Sequence, residues 1–317
     1  MNILVVGGAG YIGSAAVKAL LEANHEVTVL DNLDKGIRSL VDPQAKFIEG
    51  SLLNEKPLNN LFSENRFEAV MHFASLKAAG ESMTHPEKYS ENITSMINLL
   101  NAMSAHKVKK IIFSSSAAVY GTPQSLPLTE ESPLNPENYY GFTKLVAEQL
   151  LDWYEKLKGI QYISLRYFNV AGDAGLNYID PEANNIFPII GEVLQGKRPA
   201  LKIFGKDYET RDGTPVRDYI HVIDLVDAHL KALKLESSEI INLGSAQGYT
   251  VLELIKAFES VSKKTIPQEI APRRSGDPAE LYASNDKAKS LLGWEPKHDL
   301  NDMVESTIKA YEPSPQE

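Results

Sequence analysis

Residues 3–6, Ile-Leu-Val-Val, run without a polar side chain into Gly7-Gly8-Ala9-Gly10-Tyr11-Ile12-Gly13. A short run that is apolar on every position reads as a strand buried on both faces. A glycine-dense turn followed by an amphipathic stretch then requires strand, tight turn, helix. The glycines let backbone N–H groups approach an anion at the positive end of that helix. Asp31 closes the next apolar run, 18 residues past Gly13. A carboxylate there can bind both hydroxyls of an adenosine ribose and would repel a 2′-phosphate, which favours NAD over NADP. The plainer alternative is a tight glycine turn with Asp31 as a solvated strand end.

The same rhythm continues. Apolar runs at 27–30, 69–73, 111–114 and 162–165 read as further buried strands, and helices are expected near 12–23, 55–63, 90–106 and 140–157. This alternation predicts an α/β fold: a doubly wound parallel-sheet Rossmann domain. With 317 residues the chain is long enough for about two domains. After Arg166 the alternation stops, and 169–188 is rich in Asn, Gly and Pro, as expected of a binding loop. We therefore expect a cofactor-binding domain over 1–168, with the chain returning to it near 218–245. A smaller α/β substrate-binding domain would come mainly from 169–317. The tail 312–317, with two prolines, is expected to fray.

Acids exceed bases by 42 to 32, which argues against nucleic-acid binding through a basic surface. An anionic ligand must be held by a few local cations. There is no cysteine, so thiolate chemistry and disulfides are excluded, and the seven histidines show no metal-binding spacing. No apolar run approaches the roughly 20 residues of a membrane span. The first residues read as a buried strand and not as a signal peptide, and a cytoplasmic setting fits the missing cysteine.

Tyr140 and Lys144 lie four apart, on one face of the helix expected after Pro136. A phenol of pKa about 10 is almost wholly neutral at pH 7, and lowering it to about 7 takes roughly 4 kcal/mol. A nearby ammonium in a desolvated site can supply much of this. Ser114-Ser115-Ser116 ends an apolar strand, where ligands of open sheets bind, and a hydroxyl of Ser116 could relay a proton to Tyr140. The alternatives are an exposed helix face for Tyr140 and Lys144, and a turn cap for Ser116.

Together with Asp31-Asn32-Leu33 and Ser114 to Gly121, these features resemble the extended short-chain dehydrogenases that act on nucleotide sugars. Four further stretches resemble the UDP-glucose 4-epimerase family: His72 to Ser82, Leu165 to Asn169, Val216 to His221 and Ala271 to Asp277. Related dehydratases and decarboxylases carry acidic residues where this chain has Ala117 and Ala118, which cannot transfer protons. The resemblance implies NAD-dependent interconversion of UDP-galactose and UDP-glucose: oxidation at C4, rotation of the 4-keto sugar, and re-reduction on its other face. NAD would remain bound.

The resemblance also implies roles. Tyr140 would be the base, with Lys144 and Ser116 assisting. Gly7, Gly10, Tyr11, Ile12, Gly13, Asp31, Asn32, Ser51, Leu52, Phe73, Ala74, Lys77, Asn92, Ser114, Tyr140, Lys144 and Tyr167 would hold NAD. Lys77, Ser116, Tyr140, Asn169, Asn185, Phe204, Arg217, Arg274, Asp277 and Leu281 would hold the UDP-sugar, the arginines because guanidinium binds phosphate with two donors. Many relatives form a homodimer through the helices near 90–106 and 140–157. Three departures stand out: Ser51 replaces a usual aspartate, Lys35 lies near the ribose, and 173–183 looks short. Leu281 is of intermediate size where bulk limits room for an N-acetyl group, so UDP-GlcNAc/UDP-GalNAc epimerisation is an open alternative. A non-catalytic nucleotide-sensing protein on the same fold is a more distant one.

Overall fold

The computed structural model describes residues 1–274 and 277–312. Ser275 and Gly276 of the arginine-bearing stretch, and the tail from residue 313, lie outside the described residues. The chain opens with β1 (Asn2–Val6), α1 (Tyr11–Glu22), β2 (Glu26–Asp31), β3 (Lys46–Glu49), α2 (Glu55–Glu64) and β4 (Ala69–His72). Two single turns, α3 (Ala79–Ser82) and α4 (Pro86–Tyr89), precede α5 (Glu91–Ala105), β5 (Lys110–Ser116), α6 (Tyr139–Lys158) and β6 (Gln161–Tyr167). Then follow β7 (Asn169–Ala171), α7 (Ile186–Leu194), β8 (Leu201–Phe204), β9 (Val216–Arg217), β10 (Tyr219–His221), α8 (Val222–Ala232) and β11 (Glu239–Leu243). The last elements are β12 (Tyr249–Thr250), α9 (Val251–Ser262), β13 (Gln268–Ala271), β14 (Glu280–Leu281), α10 (Asp286–Leu292) and α11 (Leu300–Tyr311).

The chain divides into two compact units. The first comprises Met1–Gly121, Glu130–Tyr167 and Val226–Ile241; the second comprises Thr122–Thr129, Phe168–Leu225 and the chain from Asn242. A seven-stranded sheet in the order β11-β6-β5-β4-β1-β2-β3 forms the centre of the first unit. Strands β1 to β6 pair in parallel, and the interior ones are largely apolar: Ile3, Leu4 and Val5 have no exposed surface. The order reverses between β1 and β4, the place where open sheets bind ligands at their carboxyl ends. Strand β3 was not expected from the sequence. It is an edge strand whose residues are only half-buried or exposed, so it carries no apolar run.

Helix α6 starts where its capping chemistry dictates. Asn138 accepts the Gly141 N–H through its side chain at 2.8 Å, and Gly159 ends the helix in a left-handed conformation. The helix therefore begins at Tyr139, which sets the height of Tyr140 and Lys144 on the sheet.

The second unit has three small sheets: β10-β7, β12-β9-β14 and β13-β8. Its core includes Phe187, Ile190, Ile203, Tyr219, Leu254, Phe258 and Val304. The buried Asp218 ties three segments together, accepting from Ser245 N at 2.8 Å, Ser245 Oγ at 2.6 Å and Ala283 N at 3.2 Å. Burial pushes its carboxyl up to about 6 against these bonds.

Candidate active site

The first unit carries the glycine turn between β1 and α1. Gly7 has φ +79°, and a Cβ there would lie 2.5 Å from Ala74 N. A Cβ on Gly13 would lie 2.0 Å from Gly7 O. Neither position admits a side chain, so the turn can only be built from glycine. Gly10 is the N-cap of α1 and supplies no side-chain cap, while Tyr11 and Ile12 open the helix. A helix N-terminus built this way is suited to an anion.

Asp31 is buried at the end of β2. One carboxylate oxygen accepts Ala9 N and the other Leu33 N, each at 2.9 Å. A carboxylate oxygen accepts more than one bond, so both remain competent toward ribose hydroxyls while being fixed in direction. Asn32 is exposed, with its side chain accepting Asp34 N at 3.2 Å. Ser51 Oγ accepts Leu53 N at 3.2 Å, and Leu52 beside it is buried.

After β4, Phe73 N and Ala74 N both donate to Val6 O, bringing this loop against the glycine turn. Asn92 does its visible work on the loop itself. Its side chain accepts Leu76 N and donates to Leu76 O, both at 3.0 Å, which fixes the approach to the exposed Lys77.

The catalytic candidates converge at the carboxyl end of β5. The side chains of Tyr140 and Ser116 are hydrogen-bonded to each other. Ser116 Oγ also accepts Ala118 N at 3.2 Å, so it caps the following 3₁₀ turn as well. Lys144 is buried, donates to Ser114 O at 2.7 Å and lies 5.8 Å from the centroid of the Tyr140 ring. Burial pushes the Tyr167 phenol up, and the Ser114 side chain opposes that rise.

The electrostatics differ from the sequence expectation in one respect. Burial pushes the Tyr140 phenol up from its usual value, with the Ser116 bond opposing it. Burial also pushes Lys144 down to about 7, opposed by Glu148. The expectation took Lys144 as an ammonium in a desolvated site. Burial therefore works against the ammonium and the phenolate alike. His72, on β4, is pushed down to about 3 by burial and by the Lys144 charge.

Sequence reasoning missed a buried cluster beside these residues. Arg166 on β6 donates to Glu148 on α6 from Nε at 2.9 Å and from Nη2 at 2.5 Å, and from Nη1 to Tyr120 at 3.0 Å. Ser115 Oγ donates to the same Glu148 carboxylate at 2.5 Å. Its signal was present: Arg166 is a charge in an otherwise uncharged strand, and a charge there needs a partner.

The second unit gathers the other candidates around β9 and β14. Arg217 and Leu281 are partners in the parallel register. Arg217 Nη2 lies 3.0 Å from Asp277 Oδ1, and its Nη1 donates to Val216 O at 2.8 Å. The exposed Arg274 stacks its guanidinium 3.9 Å from the centroid of the Phe204 ring. Asn169 donates to Asp218 O from both backbone and side chain. Asn185 is the exposed N-cap residue of α7, with no side-chain cap bond.

A glycine cradle at a sheet switch point, with a Tyr–Lys pair on the adjoining helix, matches what known proteins show. The NAD dependent epimerase/dehydratase family model matches residues 3–244. The chain belongs to this family. UDP-glucose 4-epimerase from Lacticaseibacillus casei is 44% identical over 325 residues, covering 100% of this chain and 98% of that protein. UDP-glucose 4-epimerase from Stenotrophomonas maltophila, solved with NAD and formylated UDP-arabinopyranose, is 40% identical with a TM-score of 0.94; 98% of each chain is covered. The Bifidobacterium longum enzyme, solved with NAD+ and UDP, is 39% identical with a TM-score of 0.92, again over 98% of both chains. Like other members of an NAD-dependent epimerase family, the chain is an α/β protein with a parallel Rossmann sheet. No helix among the described residues is long and apolar enough to cross a membrane.

Proposed function

We propose that this epimerase-family chain interconverts UDP-galactose and UDP-glucose with a resident NAD. One observation carries the reading: Tyr140 is hydrogen-bonded to Ser116 while Lys144, one turn on, is anchored on Ser114 O. The residues fit NAD. Gly7 and Gly13 leave no space for a Cβ and so hold the turn open to a pyrophosphate, and Asp31 offers a fixed carboxylate to a ribose. Gly10, Tyr11 and Ile12 would supply the helix end, with Asn32, Ser51 and Leu52 beside the adenosine and Phe73, Ala74, Lys77, Asn92, Ser114 and Tyr167 along the remainder. Bound NAD supplies reversible hydride acceptance at the sugar's C4.

The chain's own residues handle the proton and the grip. Tyr140 Oη, as phenolate, takes the proton of the hexose 4-hydroxyl and later returns it to the 4-oxygen. Ser116 Oγ can accept and donate at once, so it relays that proton or holds the 4-oxygen during transfer. Lys144, as ammonium, favours the phenolate. Ala117 and Ala118 offer no second acid or base, so elimination and decarboxylation lack a proton carrier.

Arg217 and Arg274 would hold the diphosphate and Phe204 the uracil, with Asn169 and Asn185 nearby. Asp277 holds Arg217 in a single direction, and the parallel pairing places Leu281 beside it. A grip on the nucleotide alone leaves the hexose free to turn.

A homodimer, through α5 and α6, fits the same reading. Trp153 and Leu157 on α6 are 59% and 69% exposed, unusual for large apolar residues, and a second copy would cover them. Light scattering tests it. A cytoplasmic setting fits the cysteine-free chain.

The deciding experiment incubates purified protein with UDP-galactose, without added nicotinamide cofactor, and follows UDP-glucose. Conversion supports the reading. If conversion occurs neither without NAD nor with it, the reading fails.

A further inference from the structure

Lys144 lies among groups contributed by four elements. Phe113 and Ser114 come from β5, the first with its ring 4.9 Å from Nζ and the second as the 2.7 Å acceptor. His72 comes from β4 and is neutral at working pH, because its imidazole is pushed down to about 3. Tyr140 comes from α6, and Tyr167, on β6, interacts with Tyr140. The remaining group is Glu148, one helical turn beyond Lys144, an anion that acts on the lysine.

Glu148 is also the hub of the cluster that joins α6 to β5 and β6. It receives Ser115 Oγ at 2.5 Å, and Arg166 grips both its oxygens at 2.9 and 2.5 Å. Ser115 stands between Ser114, which accepts the Lys144 ammonium, and Ser116, which is bonded to Tyr140. One carboxylate therefore fixes the strand on which both catalytic partners depend. A buried ion pair is a poor source of stability, since removing two charges from water offsets most of their attraction. Its placement here has a chemical use.

We propose that Glu148 is a positioning residue for Lys144: held by Arg166 and Ser115, its carboxylate favours the ammonium form of the lysine at the end of β5. The inference deepens the epimerase reading and rests on it for its catalytic consequence. Two facts agree on direction. Burial pulls Lys144 down and Glu148 opposes the fall, the balance lying at about 7. Tyr140 shows no such direct effect of Glu148, so the carboxylate acts through the lysine.

The test reads Lys144 itself. Protein labelled with 13C at lysine Cε is titrated by NMR, and the Lys144 signal is assigned by its loss in Lys144→Met. In Glu148→Gln, which keeps the shape and an acceptor, the Lys144 midpoint should fall by about one pH unit. In Ser115→Ala, which removes a donor but leaves the charge, it should stay in place. Glu148→Gln/Arg166→Met removes both charges should the single variant not fold, and its midpoint should also lie below wild type. An unmoved midpoint in the Glu148 variants overturns the inference, as does an equal fall in Ser115→Ala, which would show packing and not charge at work.

A pH profile of kcat on UDP-galactose then carries the result to function. The alkaline limb should move to lower pH in Glu148→Gln, whereas a purely structural loss would lower the whole profile evenly. If the NMR midpoint moves but wild-type protein converts no UDP-galactose, the epimerase reading has failed and the Glu148 inference stands. If conversion is normal and the midpoint stays, the reverse holds.

Discussion

Lys144 reaches across from helix α6 to donate to the backbone carbonyl of Ser114 at 2.7 Å, so the lysine is anchored to the strand that also presents Ser116. Its ammonium has a fixed place with respect to Tyr140, 5.8 Å from the ring centroid. Replacing it by methionine keeps the bulk and removes the charge. At pH 7, Lys144→Met should lower kcat by about 10²–10³-fold, the effect of returning the phenol toward its usual ionisation. Raising the pH toward 10 should restore part of that loss. Tyr140→Phe, with no phenol to ionise, should show no such recovery.

Ser116 has two partners, the Tyr140 hydroxyl and the Ala118 N–H. Ser116→Ala should therefore reduce kcat by about 10–100-fold through the lost relay. It should also cost about 1 kcal/mol of stability through the lost cap. Ser116→Thr retains a hydroxyl and should keep most of the activity. Steady-state kinetics and urea unfolding separate the two effects.

Gly13→Ala places a Cβ 2.0 Å from Gly7 O, so the turn must shift. The purified variant should contain much less NAD than wild type, measured as nucleotide released on denaturation, and should melt at a lower temperature. Full NAD content in this variant would contradict the assignment of the turn as the pyrophosphate cradle.

Arg217→Ala removes a guanidinium that Asp277 holds in place. The loss of charged hydrogen bonds to a diphosphate, about 1.5–3 kcal/mol, corresponds to a KM rise of roughly 10–100-fold. The kcat should change little, since the chemistry lies on other residues. Asp277→Asn should show a smaller change in the same direction.

His72 and His221 are buried in the neutral form, pushed down to about 3 and about 4. For a base with a depressed folded-state pKa, the unfolded chain binds the proton first. Stability is therefore full above pH 6.5 and is lost as pH falls toward those values. Between pH 6.5 and 5, each histidine should cost at most about 1.4 kcal/mol per pH unit in urea unfolding. His72→Phe should remove about half of that slope.

Legibility in the sequence followed burial. Strands β1, β2, β4, β5 and β6 lie inside a sheet covered on both faces, so each wrote a largely apolar run, with buried polar residues such as Thr28 and Ser164 among them. Edge strand β3, Lys46 to Glu49, has half its length facing solvent and wrote nothing distinctive. Gly7, Gly13, Asp31, Tyr140 and Lys144 were visible because spacing within one helix or turn is local. Residues 122–129 belong to the second unit and pair with it as an isolated β-bridge, Leu128 to Ala283, which is too short to leave a periodic pattern. The ionisation of Tyr140 was not readable either, because it depends on how deeply both it and Lys144 are buried. That depth is set by β4, β5 and β6 together, and no window of sequence contains all three.

The seventh strand of the large sheet, β11, lies beside β6 but comes more than 70 residues later in the chain. During synthesis, β6 emerges from the ribosome with an unpaired edge and waits until Glu239–Leu243 follows. A fragment ending at residue 168 would carry the whole glycine turn and the Tyr–Lys pair, yet it would display a bare hydrogen-bonding edge of the kind that recruits other chains. The two units therefore cannot be made one after the other. Completing the first requires residues 168–225 of the second to have been translated, and any chaperone that shields the nascent sheet must stay on until then.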